Sequence, residues 1–252
     1  MTEWIQGIVT DNIHWTENLY SLKIDADVDT FIAGQFTSLA LEIDGKRVAR
    51  PYSFLSAPEQ NPLEFFFYTA TGGALSNAML ELQVGDPIWL TKKPNGFFTL
   101  PEVPNSRDLW LFGTGTGIAP FFSILKTQEP WERFEKVILV HGVRASADLR
   151  YQELIENIQH DRPGHFQFKA FVTREDVPGA YYGRIPAAIN DGNLEIICGT
   201  NLSPKNSQIM LCGNPGMVKE TVEALEERGF KKNLPHTPGQ ITAEYYWSHS
   251  CW

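Results

Sequence analysis

The sequence has no apolar run approaching the roughly 18 residues a membrane-spanning helix needs, so such a helix is not expected. Its first residues, MTEWIQGIVTDNIHW, lack a basic stretch followed by an apolar one, so no secretory signal is expected and the location is read as cytoplasmic. Cysteine is scarce: Cys198, Cys212 and Cys251 are far apart and odd in number. That excludes a disulfide framework, and neither zinc nor iron–sulfur ligand spacing is present. Positive charge is also short. With 21 Lys and Arg against 30 Asp and Glu, the net charge is −9. Nucleic acid as the main partner and binding to an anionic membrane surface are therefore not expected, because both need a basic face. Internal repeats and low-complexity segments are absent.

What is present is an ordinary globular composition with 42 % hydrophobic residues. A chain of 252 residues suits one large domain or two of about 100–150 residues each. The first hundred or so residues read as short strands. TEWIQGIVTDNIHW, NLYSLKID and TSLALEI alternate apolar and polar positions, with turn-rich pieces IAGQF, IDGKR and SAPEQNP between them. LEFFFYTA, DPIWLTKK and GFFTL continue the series. One helix interrupts, SNAMLELQV, for which Ser76 or Asn77 is the expected cap and Gly85 the stop. This pattern suggests an antiparallel barrel or sandwich, and a β-barrel over 1–101 is the expected form.

The pattern changes after PEVPNS, which reads as a linker. DLWLF is a continuous apolar strand and runs into GTGTGIAP and then the helix FFSILKTQ. KVILVHGVR, FQFKAFVTR and SQIMLCGNP are further strands, and SADLRYQELIENIQ and GMVKETVEALEERGF are helices, the second ended by Gly229. Strands alternating with helices predict parallel βαβ units, an α/β domain over 107–252. The chain is thus expected to have two domains of different class.

Gly113, Gly115 and Gly117 lie between a buried strand and a helix, where small residues let backbone approach a phosphate and the helix start favours an anion. Thr114 and Thr116 add hydroxyls. The spacing G-x-G-x-G departs from the usual dinucleotide fingerprint, and a tight turn with no ligand stays open. Ligands of open α/β sheets bind beyond the carboxyl ends of the strands. There Val143–Arg144 and Thr173–Arg174 close two strands, and Arg184 follows in YYGRIP. An acid at such a position suits the free ribose of NAD, whereas arginine suits the 2′-phosphate of NADP. The set points to NADP, with Glu175 directly after Arg174 as a contrary sign. Arg150 reads as a surface charge on a helix, and His141 as structural.

Arg50-Pro51-Tyr52-Ser53, on an expected barrel strand, resembles the flavin-binding signature of the ferredoxin–NADP reductase family, closest to its bacterial ferredoxin/flavodoxin reductases. Supporting motifs follow in order: Phe67-Tyr68-Thr69, Gly73-Ala74-Leu75-Ser76, Gly113 to Gly117, Cys212-Gly213-Asn214-Pro215 and Ala243-Glu244-Tyr245-Tyr246-Trp247. The resemblance implies that Arg50 pairs with the FAD pyrophosphate, Tyr52 stacks on the ring and Ser53 lies near N5, with Pro51 between. It also implies that Phe67, Tyr68 and Thr69 line the flavin, that Ala74, Leu75 and Ser76 hold the pyrophosphate, and that Thr116 lies where flavin and nicotinamide meet. Thr114, Gly115, Val143, Arg144, Thr173, Arg174, Arg184, Cys212 and Asn214 are implied for NADP. Glu244 is implied to tune the flavin or relay a proton, with Ser53 and Cys212 as its catalytic companions. For Cys212, simple packing stays open, and for Glu244, a surface carboxylate.

Relatives of this type end at or near an aromatic residue matching Trp247, yet five residues follow it here, so Tyr246, Trp247 or Trp252 could cover the cofactor. The implied activity is hydride transfer between NADP(H) and FAD and single-electron transfer to ferredoxin or flavodoxin, by a monomer. Such partners are acidic, so a local basic patch is needed, for which Lys46, Arg47, Lys92 and Lys93 are candidates. The alternatives are the reductase component of an oxygenase, the electron-transfer subunit of a larger dehydrogenase, another NADPH-dependent flavin reductase or diaphorase, and a non-catalytic flavin- or nucleotide-binding regulator.

Overall fold

The computed structural model describes residues 2–69 and 71–246. They form two compact units, Met1–Thr99 with Ala119–Thr127, and Leu100–Ile118 with Gln128–Trp252.

The first unit is built on β1 (Trp4–His14), β2 (Leu19–Asp25), β3 (Phe36–Ile43), β4 (Lys46–Ser53), β5 (Leu63–Tyr68) and, after helix α1 (Ala74–Leu80), β6 (Pro87–Thr91). These strands make one antiparallel sheet in the order β4-β3-β6-β1-β2-β5. Past the end of β4, Leu55 N–H donates to the Glu64 carbonyl (2.9 Å), drawing the two edge strands together into a half-barrel. Inward-facing positions of the alternating strands fill the core: Leu22, Ile24, Leu39, Phe65, Phe67 and Leu90 are buried, and Phe54 stacks on Phe31 with centroids 3.9 Å apart. On the outer surface the Arg47 guanidinium lies 4.5 Å from the Trp89 ring centroid and 5.3 Å from that of Trp4.

Helix α1 starts differently from expectation. Gly73 is its N-cap with no side-chain cap, and the Ser76 hydroxyl donates back to the Gly73 carbonyl (3.3 Å), as hydroxyls inside a helix do. Its C-terminal carbonyls find a partner on β1: Asn12 Nδ2 donates to the carbonyls of Met79, Leu80 and Leu82 at 3.0–3.1 Å. The segment Gly96–Leu100 forms no strand, only an isolated bridge from Asn95 to Phe36 followed by a 3-10 turn. A second helix, α2 (Ala119–Leu125), is held within this unit: the Ser123 hydroxyl donates to the Ser56 carbonyl (2.7 Å) and Lys126 Nζ to that of Leu55 (3.1 Å).

The second unit carries β7 (Asp108–Thr114), α3 (Glu129–Arg133), β8 (Lys136–Val143), α4 (Gln152–Asp161), β9 (Phe166–Val172), β10 (Tyr181–Tyr182), α5 (Ile185–Asn190), α6 (Asn193–Cys198), β11 (Ser207–Gly213), α7 (Pro215–Glu227) and β12 (Ile241–Tyr245). Its parallel sheet has the order β10-β9-β8-β7-β11-β12. β7, β8 and β11 are almost wholly buried, which is why their sequences are continuous apolar runs. The chain winds outward from β7 to β10 and then returns to place β11 on the other side of β7. That reversal makes the carboxyl ends of β7 and β11 the switch point where such sheets bind ligands.

The expected helix SADLRYQELIENIQ is two pieces, a 3-10 turn at Ser146–Asp148 and α4, broken by Tyr151 at φ 64°. Arg150 is therefore half-buried in the connection, not a charge on a helix surface. Helix α7 ends as expected, with Gly229 at φ 87° just past its C-cap, Arg228.

Candidate active site

In the first unit, β4 is a sheet edge, so Pro51 breaks no ladder there. Arg50 is exposed, has no carboxylate partner among the described residues, and donates only to the Ala49 carbonyl (2.7 Å). Tyr52 meets the edge of Phe67 at 6.1 Å, and its burial pushes the phenol up to about 12 despite the opposing pull of Arg50. Ser53 is buried at the strand end. Tyr68 is half-buried, and Thr69 is tied by its N–H to the Asn18 carbonyl (3.0 Å). Helix α1 packs beside β4, with Ala74 exposed and Leu75 and Ser76 buried. An exposed guanidinium without an acid, next to an aromatic surface, has the chemistry that a pyrophosphate and a flat ring system require.

In the second unit β7 runs into the 3-10 turn Gly115–Ile118. A Cβ on Gly117 would fall 2.6 Å from both the Cys212 carbonyl oxygen and Gly213 Cα, so only glycine lets this turn press against the end of β11. The Thr114 hydroxyl oxygen accepts from Asn214 N–H (2.9 Å), latching the two strand ends together. Thr116 is buried. Asn214 caps α7, its Oδ1 accepting from Gly216 N–H (2.9 Å) and Met217 N–H (3.2 Å). Beneath the turn lies the histidine read from the sequence as structural. His141 is buried, and burial drives its imidazole down to about 4, so at neutral pH Nε2 donates its hydrogen to the Gly115 carbonyl (2.9 Å).

The arginines follow aligned strand ends. Val143 and Tyr182 both pair with Val172. Backbone bonds Thr173 N–H to Val143 carbonyl (3.1 Å), Arg174 N–H to Arg144 carbonyl (3.0 Å) and Gly183 N–H to Val172 carbonyl (3.0 Å) extend this register beyond the strands. Arg144 and Arg174 are exposed and have no carboxylate partner among the described residues. Arg184, the N-cap of α5, instead pairs with Glu220 of α7 at 2.8 Å. Glu175, the contrary acid, is hydrogen-bonded to Ser146: its Oε1 accepts from Ser146 N–H (2.6 Å) and from the Ser146 hydroxyl (2.9 Å). The donor set at this edge suits a phosphate monoester.

At the other side of β7, Cys212 pairs in register with Glu244 of β12. The Cys212 thiol lies 4.0 Å from Glu244 Oε2. Burial raises the Glu244 carboxyl to about 7. Burial first, then the Glu244 charge, hold the thiol well above its ordinary range, while a hydrogen bond with Tyr246 pulls it the other way. Cys212 is thus a protonated group at neutral pH and Glu244 a carboxyl poised to gain or lose a proton, neither a simple surface carboxylate nor a reactive thiolate. Tyr246 N–H donates to the Gly213 carbonyl (2.8 Å). Trp247 and Trp252 lie outside the described residues.

Residues 8–99 match the model of the oxidoreductase FAD-binding domain, and residues 111–223 that of the oxidoreductase NAD-binding domain. The flavodoxin/ferredoxin–NADP reductase of Escherichia coli is 42 % identical over 248 residues, 98 % of this chain and 100 % of that one. That of Buchnera aphidicola from Schizaphis graminum is 39 % identical over 257 residues, with the same coverage. The crystal structure of a ferredoxin NADP+ reductase from Neisseria gonorrhoeae with bound FAD and NADP matches with a TM-score of 0.91 and 31 % identity, over 97 % of this chain and 99 % of that one. Full-length similarity of this order, on the same two-domain architecture, leaves one assignment: the chain belongs to the flavodoxin/ferredoxin–NADP reductase family.

Proposed function

We propose that this protein is an FAD-dependent oxidoreductase that carries a hydride between NADP(H) and its flavin, and single electrons between the flavin and ferredoxin or flavodoxin. The observation that carries the NADP assignment is the arginine edge: Arg144 and Arg174 stand exposed at aligned strand ends, and the neighbouring acid, Glu175, is spent on Ser146. FAD is assigned to Arg50, Pro51, Tyr52, Ser53, Phe67, Tyr68, Thr69, Ala74, Leu75, Ser76, Thr116, Tyr246 and Trp247, within an FAD domain taken as 1–101. NADP(H) is assigned to Thr114, Gly115, Val143, Arg144, Thr173, Arg174, Arg184, Cys212 and Asn214, within a domain taken as 107–252. When bound, the flavin supplies the conversion between two-electron and one-electron chemistry.

The protein's own contribution is position and electrostatics. Arg50 neutralises pyrophosphate charge, and Arg144 and Arg174 select the 2′-phosphate. His141 holds the glycine turn by a neutral hydrogen bond. Glu244, with a pKa of about 7, holds or gives up a proton near neutrality, and Cys212 keeps its proton; with Ser53 they are assigned the catalytic roles.

Ferredoxin or flavodoxin is assigned as partner and the monomer as the working form, in the cytoplasm; no described helix is long and apolar enough to cross a membrane. Of the four candidate cations for a partner patch, Lys92 is paired with Glu3 (3.2 Å) and Arg47 with Glu42 (3.1 Å), which leaves Lys46 and Lys93 as the stronger candidates.

The test is an absorption spectrum of the purified protein followed by anaerobic titration with NADPH and with NADH. A flavin spectrum bleached preferentially by NADPH is expected. A colourless protein that takes up no FAD would overturn the reading.

A further inference from the structure

Arg184 differs from the other two arginines in having an acid of its own. Its Nη1 lies 2.8 Å from Glu220 Oε2, and both side chains remain about half exposed, at 54 % and 45 %. The pair spans a groove between α5 and α7 with a volume of about 280 Å³, lined by Arg184, Ala187, Asn190, Glu220, Glu223 and Glu227. The three glutamates follow at spacings of three and four, so they form one stripe on α7. Other acids of this helix have other cations: Glu223 is 3.9 Å from Lys219, and Glu226 is 3.8 Å from Lys232. Arg184 is the cation that Glu220 holds.

We infer that Glu220 is a specificity-tuning residue, a tethered anion that competes with the nucleotide 2′-phosphate for Arg184. This rests on the NADP reading of the arginine edge given above. A phosphate reaching Arg144 and Arg174 gains the third arginine only if the guanidinium leaves Glu220, because one planar fork cannot serve two anions at full strength. Exchange is feasible because the pair is water-exposed, where an ion pair is weak. Glu220 therefore loosens the hold on nucleotides that carry a 2′-phosphate and leaves those with a free 2′-hydroxyl untouched. Its role is to temper the hold on the 2′-phosphate, so that NADP(H) is released more readily, while Arg144 and Arg174 supply the selectivity.

The experiment is calorimetric titration of the holoenzyme at low ionic strength with 2′-phospho-AMP and with AMP, which needs no turnover. Five proteins are compared: wild type, Glu220→Gln, Glu226→Gln as a charge-matched control on the same helix, and Arg184→Ala with and without Glu220→Gln. The expected result is about fivefold tighter binding of 2′-phospho-AMP by Glu220→Gln, equivalent to about 1 kcal/mol. AMP binding does not change, Glu226→Gln has no such gain, and the gain vanishes in the Arg184→Ala background. Unchanged or weaker binding by Glu220→Gln overturns the inference, as does a gain that survives Arg184→Ala. A wild-type protein that does not prefer 2′-phospho-AMP over AMP overturns the NADP reading itself, and the inference with it.

Discussion

Replacing Glu244 by Gln should change the stability of this protein in a pH-dependent way whose sign is set by burial. The carboxyl is raised from 4.5 to about 7 because its charged form is desolvated between Cys212 and the end of the sheet. Below about pH 4.5 it is protonated in both folded and unfolded chains and costs nothing. As pH rises from 4.5 towards 7 the unfolded chain ionises freely while burial keeps the folded carboxyl protonated, so stability falls over that window and stays lower above it.

A rise of that size corresponds to about 3 kcal/mol at about 1.4 kcal/mol per unit. Water access to a half-buried side chain reduces this to about 1–2 kcal/mol. Gln copies the shape and hydrogen-bonding capacity of the protonated acid and cannot ionise. The two proteins should therefore melt closest together at pH 5, while at pH 8.5 the variant should melt higher by about 2–8 °C, given about 2–4 °C per kcal/mol for a chain of this length. His141, neutral when folded and pushed down to about 4, lowers stability on the acid side, but it does so in both proteins and cancels in the difference. The assay is thermal denaturation of both holoproteins from pH 5 to 8.5. A difference in melting temperature that is flat across that range, or that runs against Gln as pH rises, would refute the reasoning.

Arg144→Ala should raise KM for NADPH by about tenfold to a hundredfold, as loss of a charged phosphate contact worth about 1.5–3 kcal/mol implies, with NADH kinetics unchanged; steady-state reduction of an artificial acceptor measures both. Arg50→Ala should retain FAD less tightly by a similar factor, read as the flavin-to-protein ratio after dialysis; an unaltered ratio would remove Arg50 from the pyrophosphate site. Gly117→Ala puts a methyl 2.6 Å from the Cys212 carbonyl oxygen and should cost about 1–3 kcal/mol of stability by overpacking, with NADPH affinity falling as the turn moves.

The architecture was legible where burial leaves a pattern. DLWLF and KVILV read as parallel strands because β7 and β8 are buried on both faces, and the alternation Leu22-Lys23-Ile24-Asp25 in NLYSLKID reflects one buried face in the second half of β2, whereas Leu19 to Leu22 are buried in succession. It was illegible where a single backbone torsion decides. Ser76 looks like a helix cap, yet the helix begins at Gly73, where the backbone supplies the entry without a side chain. Tyr151 adopts a left-handed conformation that splits one apparent helix into a turn and α4, and nothing about a tyrosine announces that. Helices α5 and α6, of six residues each, and the two-residue β10 are too short to carry a periodic signal.

The site divides along the same line, between what a residue is and what it touches. Arginines at strand ends could be read as phosphate ligands because a parallel sheet gathers its carboxyl ends at one edge. Glu175 could not be read, because an acid beside Arg174 weighs toward a free ribose hydroxyl unless something else claims it. Ser146, 29 positions away, does claim it through two hydrogen bonds. Conversely Arg184 looked equal to its neighbours, and the fold gives it an acid 36 positions on that the others lack. Nucleotide preference in such a sheet is therefore set by which arginines have no carboxylate after folding, not by how many are present. On the proposed reading, Arg144 and Arg174 would carry the discrimination, while Arg184 would adjust it.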